Sequence, residues 1–100
     1  MSDVGTVAYD NGVVTVSGRI TFQTVPECLP QAAACFGRAG TDVTVDLAKV
    51  TLVDTAGVAL MLEWLAQARA QRYTLTFVNL PEQLRHFINV SGLNQAFGLA

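Results

Sequence analysis

The sequence contains few charged residues and no cluster of positive charge. Asp, Glu, Lys and Arg make up 14% of the 100 residues, against about 25% in a typical soluble domain. The basic residues form no run, which argues against a nucleic-acid-binding protein or an anionic-lipid-binding protein. The longest apolar stretch, around residues 58–65, contains Glu63 and is much shorter than the ~20 residues of a membrane span. We therefore expect no nucleic-acid partner and no direct membrane insertion.

Residues that carry out chemistry are also scarce. His86 is the only histidine, and no Ser or Cys stands in a nucleophile motif. The glycines match neither a P-loop nor a dinucleotide-binding motif. Cys28 and Cys35 on one helix would be separated by a rise of ~10.5 Å, whereas a disulfide requires Cα atoms within ~7 Å. We predict reduced cysteines, no metal, no cofactor and no enzymatic activity.

The length and the N-terminus bear on organisation and location. A chain of 100 residues fits a single domain, residues 1–100. Ser2-Asp3-Val4 lacks the basic-then-apolar pattern of a signal peptide, which predicts a cytoplasmic protein. Hydrophobic residues make up 51% of the sequence, so some apolar surface should remain exposed as a binding site. An alternative is a composition that is simply rich in Ala and Gly.

The distribution of β-forming and turn residues predicts the element order ββαβαβα. Asn11-Gly12 separates two β-rich runs, residues 4–9 and 13–17, and favours a tight antiparallel hairpin. Residues 18–20 are then expected to form a turn. Further strands are predicted over residues 42–47 and 74–78. Because strands separated by helices favour parallel pairing through right-handed crossovers, we predict an α/β fold: a four-stranded, mostly parallel sheet with an N-terminal antiparallel hairpin, packed with helices.

The first and last helices have recognisable boundary residues. Thr24 and Glu27 have the spacing of a capping box, although Pro30 suggests that regular helix begins only near that residue. This helix should end by Gly37 or Gly40. The third helix should begin near Glu82 and stop near Ser91-Gly92. After it, Leu93, Phe97 and Leu99 should fold back onto the core. Between these helices, residues 50–53 are predicted to form a loop that leads to Asp54.

A second helix is predicted from about residue 55 to residue 71. At 100° per residue, its core face should hold Val58, Met61, Leu62, Leu65 and Ala68, with Trp64 at the edge. The opposite face has a single charged side chain. It is predicted to carry Ala56, Ala59, Leu60, Glu63, Ala66, Gln67 and Ala70. This uncharged face favours a protein interface, with exposed alanines of high helix propensity as the alternative.

Asp54-Thr55-Ala56-Gly57 stands at the start of this helix. Asp54 or Thr55 can cap the helix, whose first N–H groups carry positive partial charge. A hydroxyl at this point is presented at the surface, and its phosphorylation would add ~1.5–2 negative charges. The motif is therefore a candidate contact point and a candidate switch, with an ordinary cap of ~1 kcal/mol as the alternative.

The run from Val45-Asp46-Leu47 to Val53-Asp54-Thr55-Ala56-Gly57-Val58 and the apolar helix after it resembles the core of STAS domains (sulfate transporter and anti-sigma factor antagonist). Their pattern is a hydrophobic strand, a short loop, "D-[S/T]-x-G" and an apolar helix. The resemblance covers nearly the whole chain. Ala56 departs from it, because this place often holds Ser or Gly.

Thr at position 55, the run Gly-Val-Ala-Leu-Met-Leu and the compact length resemble MlaB-like bacterial STAS subunits of a phospholipid-transport ABC system. The resemblance implies a non-catalytic, cytoplasmic subunit that docks on the ATPase, is held at the inner membrane through it, and supports its assembly or activity. The expected partner-binding residues are Asp54, Thr55, Ala56, Gly57, Ala59, Leu60 and Glu63.

Two other functions are compatible with the same residues. In an anti-sigma factor antagonist, Thr55 would be the phosphorylation site and the partner would be an anti-sigma factor kinase. In a stand-alone homodimer, the exposed apolar surface would bind a second copy. The sequence does not identify the partner or the lipid transported.

Overall fold

The computed structural model describes residues 5–99, apart from the side chains of residues 38 and 39. Its elements follow the predicted order ββαβαβα. They are β1 (Thr6–Asp10), β2 (Val13–Ile20), α1 (Val25–Ala39), β3 (Asp42–Val53), α2 (Thr55–Gln71), β4 (Thr74–Val78) and α3 (Glu82–Val90). The strands form one sheet in the order β1-β2-β3-β4. β1 is antiparallel to β2 and the other pairs are parallel, which confirms the predicted architecture.

The hairpin turns at Asn11-Gly12 as predicted. Both residues have positive φ, 54° and 85°, as a two-residue hairpin turn of this hand requires. Residue 4, the predicted first residue of β1, lies outside the described residues. At the outer edge of β1, the Val7 N–H donates to Oε1 of Gln31 at 2.8 Å. The Cys35 thiol donates to the Val7 carbonyl at 3.7 Å. Side chains of α1 therefore cover the main chain of this edge.

Two predicted interruptions of the sheet are wrong. Residues 18–20 continue β2 instead of turning, and residues 50–53 continue β3 instead of forming a loop. Gly18 pairs with Val50, and Ile20 pairs with Val53. The pairing shifts register on either side of Gly18, whose φ is 82°. Glycine absorbs this irregularity without a steric penalty, so the strands continue past a place that looks like a turn.

Both βαβ connections step in the same direction along the sheet. Right-handed crossovers then place α1 and α2 on one face, where the Phe36 and Trp64 rings meet edge-to-face with centroids 5.4 Å apart. The other face carries short, half-buried side chains such as Thr15 and Thr44. The core lies between the sheet and the helices. Its largest fully buried side chains are Trp64, Ile20, Leu47, Met61, Leu84, Ile88, Val14, Val16, Val43, Val45 and Cys28.

Helix α1 begins at Val25, not near Pro30, so that prediction is wrong. The only intrahelical bond that Pro30 removes is the one to the Pro26 carbonyl, in the first turn. Both prolines are exposed, so water can solvate that carbonyl. The predicted capping box does not form, because the Thr24 side chain makes no cap bond. The helix ends at Gly40, with φ 87°, within the predicted limits.

Cys28 and Cys35 both lie on α1, are buried and are not joined by a disulfide. Burial, and to a lesser extent the nearby Glu27 carboxylate, raises the pKa of the Cys28 thiol. After α3, the chain folds back through turns, and Phe97 packs against Phe77 with ring centroids 5.6 Å apart. Leu93 is half-buried and Leu99 is 36% exposed, so the predicted return to the core is made chiefly by Phe97.

Candidate protein-interaction site

Two strand-to-helix junctions meet at one end of the sheet. β2 and β3 are parallel and end side by side at the paired residues Ile20 and Val53. The first junction, residues 21–24, leads from β2 into α1, and the second, Asp54, leads from β3 into α2. The carboxyl ends of neighbouring parallel strands therefore bring the predicted motif next to the β2–α1 turn, a segment that the sequence did not predict to be part of the site.

The Asp54 carboxylate joins the two junctions. Its Oδ1 accepts from the Gly57 N–H at 3.0 Å and caps α2. Its Oδ2 accepts from the Phe22 N–H at 3.0 Å. The backbone N–H groups of Phe22 and then Gly57 lower the pKa of Asp54 below its ordinary value, because they stabilise the charged form. Asp54 thus holds residue 22 against the start of α2 and is ionised at neutral pH.

Gly57 brings α2 close to β2. A Cβ atom added at Gly57 would overlap the Ile20 carbonyl oxygen and would lie 2.9 Å from Cγ1 of Val53. The Asp54 N–H also donates to the Ile20 carbonyl, at 3.4 Å. Gly57 is buried, so it does not lie on the contact surface to which the sequence assigned it. Its role in the motif is close packing.

Thr55 is the first residue of α2 and is exposed, whereas Ala56 is half-buried. Thr55 borders a groove of about 510 Å³ between the end of β3, the start of α2 and α3. We call this the α3 groove. It is lined by Leu52, Val53, Asp54, Thr55, Val58, Gln83, Leu84, His86, Phe87 and Val90. The wall is mostly apolar.

The outer face of α2 is partly as predicted. Ala59, Glu63, Ala66, Gln67 and Ala70 are exposed, but Ala56 is half-buried and Leu60, only 4% exposed, belongs to the core. The prediction centred the buried side on Val58. In the structure the buried side is centred nearer to Trp64, 1% exposed, because α2 packs against α1 as well as the sheet. Leu62 is correspondingly only half-buried.

Three exposed apolar side chains surround the Asp54 motif and were missed by sequence analysis. Phe22 is 78% exposed, Val90 64% and Leu52 39%. Val90 and Leu52 border the α3 groove. Phe22 and Leu52 border a second depression of about 320 Å³. Leu52 was assigned to a loop, and Phe22 lies in a turn that has no periodic pattern, so the sequence offered no clear signal for either residue.

We call this second depression the Phe22 cleft. It is lined by Arg19, Thr21, Phe22, Gln23, Leu52 and Asp54. Leu52 and Asp54 therefore separate it from the α3 groove. Within residues 5–99, no group of three His, Cys, Asp or Glu side chains is arranged to hold a metal ion. None of the helices in that range has the length and apolar character of a membrane span. The arrangement offers surfaces for protein contact.

The family comparison covers almost the whole chain. A sequence model described as "Mlab, STAS domain" matches residues 6–99. No curated protein sequence matches. Among solved structures, an anti-sigma factor antagonist from Mycobacterium paratuberculosis aligns with a TM-score of 0.70 and 22% identity. The alignment covers 94% of this chain and 81% of that chain.

Two structures of SpoIIAA are also similar. The Bacillus cell fate determinant SpoIIAA in its phosphorylated form aligns with a TM-score of 0.66 and 19% identity, covering 92% of this chain and 86% of that chain. The unphosphorylated form aligns with a TM-score of 0.69 and 18% identity, covering 92% and 84%. At these identities the likeness shows a shared fold. Because the family model spans the described elements from β1 to the C-terminal turns, the chain belongs to the MlaB-like STAS domain family.

Proposed function

We propose that this STAS domain is a non-catalytic subunit that binds the ATPase of a phospholipid-transport ABC complex of the Mla type and supports its assembly or activity. The family description supports this choice of partner. The position proposed for the contact is supported by one observation. Thr55 is exposed and lies between the Asp54 cap and the apolar α3 groove. The protein would be cytoplasmic and reach the inner membrane only through its partner.

The contact would extend from Asp54 and Thr55 along the exposed alanines of α2. Ala59 and Ala66 lie on this outer face, and small side chains allow another surface to come close. Glu63 adds the only charge that was predicted on the face. The half-buried Ala56 contributes at the margin. An interface of this kind has an apolar centre and a polar rim, which fits the low charge of this helix.

Co-purification with the ATPase encoded by a neighbouring gene tests this function. Thr55→Glu puts a charge at the centre of the contact, and Ala59→Arg puts a bulky cation on the α2 face. Both should reduce complex yield and ATPase stimulation at least about tenfold, as expected for a residue that contributes 1.4 kcal/mol or more. Ala33→Arg, at an exposed position on α1, is the matched control. Undiminished yield and activity in both α2 variants would refute the proposal.

A second candidate is an anti-sigma factor antagonist controlled by phosphorylation of Thr55. It is supported by the exposed hydroxyl at the start of α2 and by similarity in fold to SpoIIAA, which is known in a phosphorylated form. This function predicts one phosphate per chain, on Thr55, after incubation with the cognate kinase and ATP. Mass spectrometry of the wild type and of Thr55→Val measures it. A kinase and a sigma factor in the gene neighbourhood would favour this candidate, and permease and ATPase genes would favour the first.

A further inference from the structure

Two residues that line the Phe22 cleft each have a buried polar atom with no partner in the part of the chain that the structure describes. These are Nε of Arg19 and Oγ1 of Thr21. Thr21 is only 6% exposed, and both residues line the cleft. A buried hydrogen-bonding group without a partner costs about 1–3 kcal/mol, so two such groups beneath one depression require an explanation.

The local hydrogen bonds explain how these groups come to be left over. The Thr24 hydroxyl donates to the Arg19 carbonyl at 2.6 Å and accepts from the Thr21 N–H at 2.9 Å. The Thr21 carbonyl accepts from the N–H groups of Thr24 and Val25 at 2.9 and 2.8 Å. Thr24 therefore provides hydrogen-bond partners for the main-chain groups of this turn. Within the described residues, Nε of Arg19 and Oγ1 of Thr21 take no part in these bonds.

The cleft is chemically suited to an anionic acceptor. A guanidinium is always positively charged and only donates, and a hydroxyl also donates. Among the described residues, Asp54 is the one carboxylate in the lining, and both of its oxygens already accept from the backbone N–H groups of Phe22 and Gly57. Beside these donors, Phe22 and Leu52 expose apolar surface. A carboxylate next to an apolar side chain would complement both parts of the cleft.

We propose that the Phe22 cleft is the subsite that receives an acidic side chain of the protein partner, bound by Arg19 and Thr21 while an adjacent apolar residue packs on Phe22 and Leu52. This inference rests on the proposed docking of the Asp54 end of the domain. It adds a second contact to that of Thr55, on the other side of Leu52 and Asp54. The charge-assisted hydrogen bond from Arg19 to this acidic side chain would fix the position of the partner on the domain.

Affinity for the purified ATPase tests the subsite in the full chain. Arg19→Gln should weaken binding about tenfold, and Arg19→Glu more, because hydrogen bonds to charged groups have this strength. Arg19→Lys should be intermediate, since lysine keeps the charge but lacks the planar fork. Arg85→Glu, an exposed cation on α3, is the matched control. Unchanged affinity in Arg19→Gln and Arg19→Glu, with the wild-type complex intact, would refute the subsite and leave the proposed function standing.

Thr21→Val separates recognition from folding. Valine has nearly the same shape and removes a hydroxyl that has no partner within residues 5–99, so the thermal midpoint should stay the same or rise. Binding should nevertheless weaken about threefold to tenfold. A falling midpoint with unchanged affinity would mean that the hydroxyl serves the fold, which would contradict the proposal.

A peptide titration tests the cleft even if the ATPase does not bind. The probe is N-acetyl-Glu-Leu-amide, with N-acetyl-Gln-Leu-amide as its neutral control, added at millimolar concentration to the ¹⁵N-labelled full chain. The acidic peptide should shift the Arg19 side-chain signal and the Phe22 and Gln23 amides, and the neutral peptide should not. Equal shifts with both peptides, or no localised shift, would overturn the subsite. Localised shifts without an ATPase complex would support the subsite and reject the proposed partner.

Discussion

The two strand-to-helix junctions at the end of the sheet satisfy their polar groups differently. At the β3–α2 junction, Asp54 caps the helix and its second oxygen accepts from the Phe22 N–H. At the β2–α1 junction, the Thr24 hydroxyl forms hydrogen bonds within the turn and does not cap α1. The β3–α2 junction uses the side-chain oxygens of Asp54 internally. Within residues 5–99, the β2–α1 junction leaves Arg19 and Thr21 each with an unpartnered polar atom and exposes Phe22.

This difference separates positioning from recognition. Asp54 and Gly57 are the two residues that the pattern D-[S/T]-x-G specifies without alternatives. In this structure they fix where α2 begins relative to β2. The groups that remain available lie beside them, on Thr55, Arg19, Thr21 and Phe22. A short motif can therefore mark the place of an interface while the neighbouring residues supply its chemistry.

Gly57→Ala should destabilise the protein most, by about 3 kcal/mol or more, because its Cβ would overlap the Ile20 carbonyl oxygen. Urea unfolding measures the loss. The control is Gly37→Ala on α1, where an added Cβ meets nothing within 4 Å. This control should gain up to about 1 kcal/mol from helix propensity. Similar stability changes in the two variants would show that Gly57 has no special packing role.

Thr24→Val should cost about 1–3 kcal/mol, since it leaves the Thr21 N–H and the Arg19 carbonyl without the hydroxyl that both now use. Thr24→Ser retains the hydroxyl and should recover most of that loss. Chemical denaturation of both variants measures the difference. If serine proved as destabilising as valine, the hydrogen bonds would not be what holds this turn.

Asp54 should make stability depend on pH at the acidic end. Its pKa is lowered by the fold, so its stabilising contribution is present above the unfolded-state pKa of about 3.9 and is lost as the pH falls through the folded-state value. Between about pH 5 and pH 2, wild type should lose more unfolding free energy than Asp54→Asn. Glu63→Gln, at an exposed position on α2, is the control. Parallel pH curves for wild type and Asp54→Asn would disprove this linkage.

Phe22→Ser should change the unfolding free energy by no more than about 0.5 kcal/mol, because the ring is 78% exposed and the bond to Asp54 uses only the main chain. The same variant should weaken partner binding about tenfold or more, as truncating an aromatic anchor does. Calorimetry and a binding titration give both values. A large loss of stability with normal affinity would place Phe22 in the fold and not in the interface.

The sequence predicted features that depend on neighbouring residues in the chain. Asn11-Gly12 set the hairpin, and the Asp54 cap followed by an apolar run gave the full extent of α2, Thr55–Gln71. Features that depend on distant partners were missed. The strands continue past Gly18 because they pair with each other. Leu60 is in the core because α1 shifts the buried side of α2.

The candidate site divides in the same way. The placement of Thr55 at an exposed helix start could be read from its neighbours in sequence. The Phe22 cleft could not, because its residues come from the ends of β2 and β3 and meet only when those strands pair. The sequence gives no periodic signal for an exposed ring in a turn. Partner binding by the predicted residues remains a prediction.

The Gln31 side chain has a consequence for self-association. Its amide oxygen accepts from the outward-facing Val7 N–H at 2.8 Å, so a strand arriving at the β1 edge would have to displace it before pairing at that residue. Edges protected in this way resist strand addition and the aggregation that follows from it. A homodimer, if this chain forms one, would then be expected to use its helical or rim surfaces. A protein with so little charge to keep its copies apart would benefit from such protection.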